Sequence, residues 1–145
     1  MAEAEKTQKK KKKAKGITSK SKKKTATARA VIRQGKGIVR INKKSLNTYS
    51  THYLRELIKE PFEITGDVAS EVDITVNVNG GGATAQALAS RTAIAKALVN
   101  YFGEKKLKEK FTKYDRTLLV DDSRRKEPKK PLGRGARAKK QLSFR

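Results

Sequence analysis

The stretch VNVNGGGATAQALASRTAIAKAL, Val76–Leu98, contains a change of period. Up to Asn79 apolar and polar residues alternate, the pattern of a strand with one buried face. Beyond the glycines, small and apolar residues recur at helical spacing. Gly80, Gly81 and Gly82 separate the two runs. Glycines between a strand and a helix are a common place for backbone N–H groups to hold a phosphate. The stretch is therefore either a nucleotide cradle in an enzyme or a structural turn in a protein with other business.

Working outward, EVDITVNVN, 71–79, is the clearest strand. Val72, Ile74, Val76 and Val78 line one face, and Asp73, Thr75, Asn77 and Asn79 the other. After the glycines, Thr84 is placed to cap a helix over 85–102, with Leu88, Ala95, Leu98, Val99 and Phe102 on its buried face. Its alanines permit close approach to a sheet, and Gly103 ends it. EKKLKEKFTKYD, 104–115, predicts a further short helix. Upstream, ATARAVIR, 26–33, alternates, and so does IVRIN, 38–42. The intervening QGKG reads as a turn, which predicts a hairpin. Arg29, Arg33 and Arg40, with Lys36 in the turn, project from it as a contact surface. Ser50 or Thr51 starts a helix carrying Tyr53, Leu54, Leu57 and Ile58, with Pro61 predicted to stop it near Glu60. His52, in its first turn, reads as an exposed or capping residue. The fold class is α+β: a small domain with an antiparallel-rich sheet and helices on one face.

The 145 residues carry 37 Lys and Arg against 14 Asp and Glu, a formal charge of +23. The excess is placed unevenly. Residues 1–24 hold eleven lysines and two glutamates, and residues 124–145 hold ten basic residues and Glu127. The intervening 25–123 is close to ordinary. Three parts follow: a Lys-rich leader, 1–24, disordered in isolation; a globular domain, 25–123; and a basic C-terminal arm, 124–145. Such a charge calls for a polyanionic partner, RNA or DNA before a membrane surface. There is no spanning apolar run and no signal peptide pattern. With no cysteine and one histidine, no metal site is expected.

The glycines fail the tests for a phosphate loop. There is no GxxxxGK[ST] and no GxGxxG, and Lys96 lies far into the helix. No paired carboxylates and no nucleophile–base pair stand out, so the sequence argues against an enzyme and for no cofactor.

GGGATAQALASRTAIAKAL resembles the signature of the universal small-subunit ribosomal protein S-nine family. Gly80, Gly81, Gly82, Ala85, Gln86, Ala89, Ala93, Ala95 and Lys96 carry the likeness. TATARAVIRQGKGIVRINKKSL is similar to the family's opening hairpin, and YLRELIKEPF to its first helix. DRTLLVDDSRRKEPKKPLGRGARAKKQLSFR is similar to its C-terminal arm in the archaeal and eukaryal branch. The likeness covers 25–145; the leader rests on charge alone.

The resemblance implies an RNA-binding structural protein in the head of the small ribosomal subunit, cytoplasmic and beside other head proteins. It implies a sheet with helices on one face and a left-handed βαβ crossover, the ribosomal S-five domain-two-like fold. That hand is not readable from periodicity, since the ordinary hand is right. The expected contacts to 16S-type rRNA are Arg29, Arg33, Lys36, Arg40, Arg91 and Lys96 in the domain. In the arm they are Arg124, Arg125, Lys129, Lys130, Arg134, Arg137, Lys139 and Lys140. The backbone of Gly80, Gly81 and Gly82 is a candidate phosphate contact. The resemblance further implies that Ser143, Phe144 and Arg145 approach the tRNA in the peptidyl site. There Arg145 grips a phosphate and Phe144 stacks. Many relatives of this branch carry tyrosine in place of Phe144, so a hydroxyl contact is absent here. The alternative is a chromatin-like basic protein that coats DNA, which accounts for both tails but not for the glycine–helix signature.

Overall fold

The computed structural model describes residues 16–122 and 124–138. The leader to Lys15 lies outside them, as do Lys139, Lys140, Ser143, Phe144 and Arg145.

Five strands form one mixed sheet: β1 (Ile17–Lys23), β2 (Ala26–Gln34), β3 (Val39–Ile41), β4 (Lys44–Ser45) and β5 (Val72–Asn79), in the spatial order β1-β2-β5-β3-β4. Three helices accompany it: α1 (His52–Thr65), α2 (Ala83–Phe102) and α3 (Lys105–Tyr114). The α+β class holds, with helices on one face.

The alternation read in 26–33 and 71–79 sets the layers. Ala26, Ala28, Ala30 and Ile32 of β2 are buried with Val72, Ile74, Val76 and Val78 of β5. Antiparallel register places Ile32 opposite Ile74 and Ala30 opposite Val76, so the apolar rows coincide. Helix α2 packs across β1, β2 and β5, and α1 and α3 pack against α2. Ala87, Ala89, Ala93, Ala95 and Ala97 are fully buried there, and only side chains this small allow a helix to lie close on a sheet. Ile94, Leu98, Ile58, Phe111 and Leu118 fill the space between the helices.

Four expectations change. Ile17–Lys23, counted above in the disordered leader, is the edge strand β1, paired with β2 from Ile17↔Ile32 to Lys23↔Ala26. Its inward residues are Ser19 and Ser21, buried although polar. Asn100 Nδ2 donates to Ser19 Oγ at 3.0 Å and Ser21 Oγ donates to Asp121 at 2.9 Å, so neither hydroxyl is left unpaired.

The predicted hairpin of 26–33 with 38–42 does not form. β5 inserts between β2 and β3, antiparallel to the first and parallel to the second. QGKG is instead a crossing over the start of β5: Gly35 N–H donates to Glu71 O, and Gly37, at φ 81°, passes Ser70. β2 instead forms a hairpin with β1, and β3 one with β4, whose two-residue turn Asn42-Lys43 has both φ positive, the twist such turns require. The Asn42 side chain then extends the ladder, exchanging two hydrogen bonds with the Val78 backbone.

Pro61 does not stop α1. It lies inside the helix with its ring buried. One N–H is missing, but ring packing offsets it and the helix continues to Thr65, closed by Gly66 at φ 74°. Thr84 does not cap α2: the helix begins at Ala83, its N-cap is Gly82, and no side chain caps it.

Candidate nucleic-acid interface

The sheet's second face is uncovered. Opposite the buried rows stand Lys20 and Lys22 of β1, Arg29 and Arg33 of β2, and Arg40 of β3, all exposed. Thr75, Asn77 and Asn79 of β5 lie between them, also exposed. Register assembles rows from separate strands: Lys20 stands opposite Arg29, Arg29 opposite Asn77, and Arg40 opposite Thr75. Like charges directly opposite one another destabilise a sheet, so the Lys20–Arg29 row is a cost the fold does not recover internally. Among the described residues none of these five cations forms an ion pair.

The one acid on this face among the described residues is otherwise engaged. Asp73 stands opposite Arg33 in the ladder, but its Oδ1 accepts from the N–H of Ile38 and of Lys36, both at 2.9 Å. Those backbone bonds hold its carboxyl below the usual carboxylate range. Asp73 thereby shapes the crossing loop and exposes Lys36 at the rim of the face. Arg29, Arg33, Lys36 and Arg40 are thus brought onto one surface, as the sequence led us to expect.

At its other end the face runs into the glycine turn. Thr25, Thr27, Arg29, Asn77, Asn79 and Gly80 line an open groove of about 420 Å³. Gly80 and Gly81 have φ of 77° and 68° and press on the β1–β2 turn. A Cβ on Gly80 would stand 2.6 Å from Thr25 O, and one on Gly81 3.0 Å from Ala26 Cβ. Gln86 Nε2 donates back to Gly80 O at 3.2 Å, which ties the turn to the helix it opens. Gly82 differs: its φ is −97° and a Cβ there meets nothing within 4 Å. Gly80→Ala should therefore cost about 2 kcal/mol or more, from left-handed strain and backbone overlap. Gly82→Ala should cost under about 1 kcal/mol, the loss of a weak N-cap. Equal costs in urea unfolding would show that the turn does not divide the roles this way. The first N–H groups of α2 lie beside exposed Lys24, in a groove that Gly81, Gly82 and Thr84 help to line.

Two expected RNA contacts in the helices are placed differently. Arg91 is buried, its side chain 10% exposed, between Glu60 of α1 and Asp115 after α3. Nη2 meets Glu60 and Nη1 donates to Asp115 at 3.1 Å. Its Nε has no partner among the described residues but is buried, so the guanidinium presents no exposed edge to a phosphate, and Arg91 is placed as a structural residue rather than an RNA contact. Lys96 is paired with Asp121 at 2.7 Å beside the edge of β1.

Asp121 and Asp122 anchor the root of the arm there. Asp121 also accepts from Ser21 Oγ and from the Lys22 N–H. Burial works to raise its pKa, but the Lys96 and Ser21 contacts outweigh it and leave the carboxyl below its ordinary value. Asp122 pairs with Lys23 at 2.8 Å and with Arg124. Beyond it Arg124, Arg125, Lys129, Lys130 and Arg134 are exposed, and Arg137 forms a two-pronged pair with Glu127. Lys20 and Lys22 were missed as members of the open face. The signal was present, since serine and lysine alternate over 19–22, but an alternation without apolar residues is easily taken for a tail.

Among the described residues no three His, Asp or Glu side chains gather to hold a metal ion, and no helix is long and apolar enough to cross a membrane.

Residues 21–145 match the family model described as ribosomal protein S9/S16. The chain is similar to the small ribosomal subunit protein uS9 of Thermoplasma acidophilum, 56% identical over 118 residues, which cover 81% of this chain and 92% of the relative. The corresponding protein of Picrophilus torridus is 52% identical over 118 residues, 81% of this chain and 89% of its own. That of Methanococcus maripaludis is 47% identical over 120 residues, covering 81% and 90%.

Proposed function

This chain belongs to the ribosomal protein S9/S16 family, and from that premise we propose that it is a structural component of the small ribosomal subunit head. It does no chemistry. It binds rRNA in the cytoplasmic ribosome, beside neighbouring head proteins, and extends its C-terminal arm to the tRNA in the peptidyl site. The observation that carries the reading is the open sheet face, with five exposed cations that form no ion pair among the described residues and, among the same residues, a single acid whose charge its own loop amides engage. A face like this suits a phosphate backbone, which supplies regularly repeated negative charge. The backbone of Gly80, Gly81 and Gly82, at the edge of the same face, offers N–H groups to a further phosphate.

The arm fits the same role. Arg137 and Glu127 are exposed on both sides of their pair, whereas Arg124 is exposed but grips Asp122, whose carboxylate is only 10% exposed. Exposed ion pairs contribute little in water, so Arg137 can exchange its carboxylate for a phosphate at small cost, while Arg124 keeps Asp122 and offers the remaining edge of its guanidinium. With Arg125, Lys129, Lys130 and Arg134 they give a nearly continuous cationic track leading toward Lys139, Lys140 and the terminus. Arg145 can then grip a tRNA phosphate through a planar fork, and Phe144 can stack beside it.

Deleting Ser143–Arg145 tests the arm. Subunits should still assemble and sediment normally, while tRNA retention in the peptidyl site should weaken about tenfold, the worth of one charge-assisted contact. Failure of the subunits to assemble would give the terminus a structural role instead.

A further inference from the structure

We propose that the outer face of α3 is a second RNA-backbone docking surface, so that the domain is held between two segments of RNA. This rests on the ribosomal reading above and adds a site to it. Helix α3 is anchored by Leu107 and Phe111, which are buried against the other helices. The helices lie on the covered side of the sheet, so the outer face of α3 points away from the open sheet face. It carries Lys105, Lys106, Lys108, Lys110 and Lys113, all exposed, with the exposed Glu109 among them, four residues from both Lys105 and Lys113.

Three features show that the chain compensates this charge only in part, five lysines standing against Glu109 and, at the N-cap, Glu104. First, none of the five lysines forms an ion pair among the described residues. Lys23, Lys59, Arg91, Lys96, Arg124 and Arg137, by contrast, all meet carboxylates. Second, Lys106, Lys110 and Lys113 follow the spacing i, i+4, i+7 and form one stripe about 10 Å long, in which like charges repel. Third, Lys105 and Lys106 occupy the first turn, where the helix dipole disfavours cations and the N-cap Glu104 is the acid beside them; Lys113, in the last turn, is favourably placed. A helix that bears all three penalties and presents a linear stripe fits a linear polyanion. A patch of acidic side chains on a neighbouring protein is the competing occupant.

The test uses the full chain with Lys106, Lys110 and Lys113 all changed to Gln, which keeps helix propensity. Binding to protein-free small-subunit rRNA is measured across a salt series, beside an Arg29→Ala/Arg33→Ala/Arg40→Ala variant. Circular dichroism should show a thermal midpoint unchanged or slightly raised for the lysine variant, since the repulsion along the stripe is removed. Its slope of log K against log salt should fall by about 2 to 3, at about 0.7–0.9 per phosphate contact, with affinity down about 10- to 100-fold. If the sheet-face variant loses affinity while the lysine variant keeps both slope and affinity, the α3 surface is overturned and the ribosomal reading stands. If neither variant changes, the RNA reading of the domain falls with it. If the lysine variant binds naked rRNA normally yet fails to enter subunits, the occupant is a protein and the proposal fails.

Discussion

Arg91→Ala is expected to cost about 3 kcal/mol of folding stability, the lower part of the range for breaking a buried ion pair by removing one partner. One guanidinium joins three elements: Glu60 on α1, Arg91 on α2 and Asp115 at the end of α3. Removing it leaves two carboxylates facing one another's neighbourhood with no cation between them. Their side chains are 25% and 29% exposed, so water reaches them in part, which is why the lower value applies. Arg91→Met keeps the bulk and loses the charge. It should be nearly as costly, whereas a second change, Glu60→Gln, should recover part of the loss. Urea unfolding with unchanged m values measures all three. A loss under about 0.5 kcal/mol, coupled to weaker RNA binding, would mean that the guanidinium faces outward in solution.

The pH dependence follows from Asp115. Burial works to raise its pKa, but the Thr117 hydroxyl and N–H and the Arg91 charge outweigh this and leave it depressed in the folded state. A depressed carboxyl contributes stability that is present above its unfolded pKa and is lost as pH falls through the folded value. In Arg91→Ala part of that depression disappears. The gap between wild type and variant should therefore be widest near neutrality and narrow below about pH 4, where the carboxylates take up protons even in the unfolded chain.

Arg91 also marks the limit of what the sequence discloses. Its neighbours Ser90 and Thr92 are small and polar, and a base in such a run reads as exposed. Only the crossing of three helices brings the two acids to it, from 31 residues before and 24 after. β1 escaped for a related reason. A strand is legible when apolar residues alternate, as in β2 and β5, but the inner face of β1 is Ser19 and Ser21. Their burial is satisfied by Asn100 and Asp121, which are distant in sequence. The hairpin reading failed because adjacency in sequence favours pairing, while the choice of β5 as the central partner depends on matching apolar rows far apart in sequence, Ile32 with Ile74 and Ala30 with Val76. What was legible was the part that local pattern decides: the two core strands, the long helix, and the outward cations of the open face. Arg29, Arg33 and Arg40 could be assigned to one surface because alternation fixes a side, even though the pairing was wrong.

That surface supplies the other large effect. Arg29→Ala/Arg33→Ala/Arg40→Ala should weaken binding to small-subunit rRNA about 100- to 1,000-fold, at about 1–1.5 kcal/mol for each solvent-exposed contact, where the two ranges for neutral and charged hydrogen bonds meet. The salt slope should fall by about 2 to 3. Stability should move little, since all three side chains are exposed and unpaired in the described structure. It should even rise slightly, because removing Arg29 relieves its repulsion with Lys20 on the adjoining strand. This pairing of outcomes discriminates. A residue that serves the fold loses stability and binding together, as Arg91 should; a residue that serves the interface loses binding alone. The inner-face substitution Ala30→Val supplies the opposite case. It adds volume to a fully buried position opposite Val76 and should destabilise by about 1–3 kcal/mol, with RNA affinity preserved wherever the domain stays folded. If the triple arginine variant instead bound rRNA with unchanged affinity and slope, the open face would be solvent surface. The domain's RNA contacts would then have to lie on the helix side, with α3.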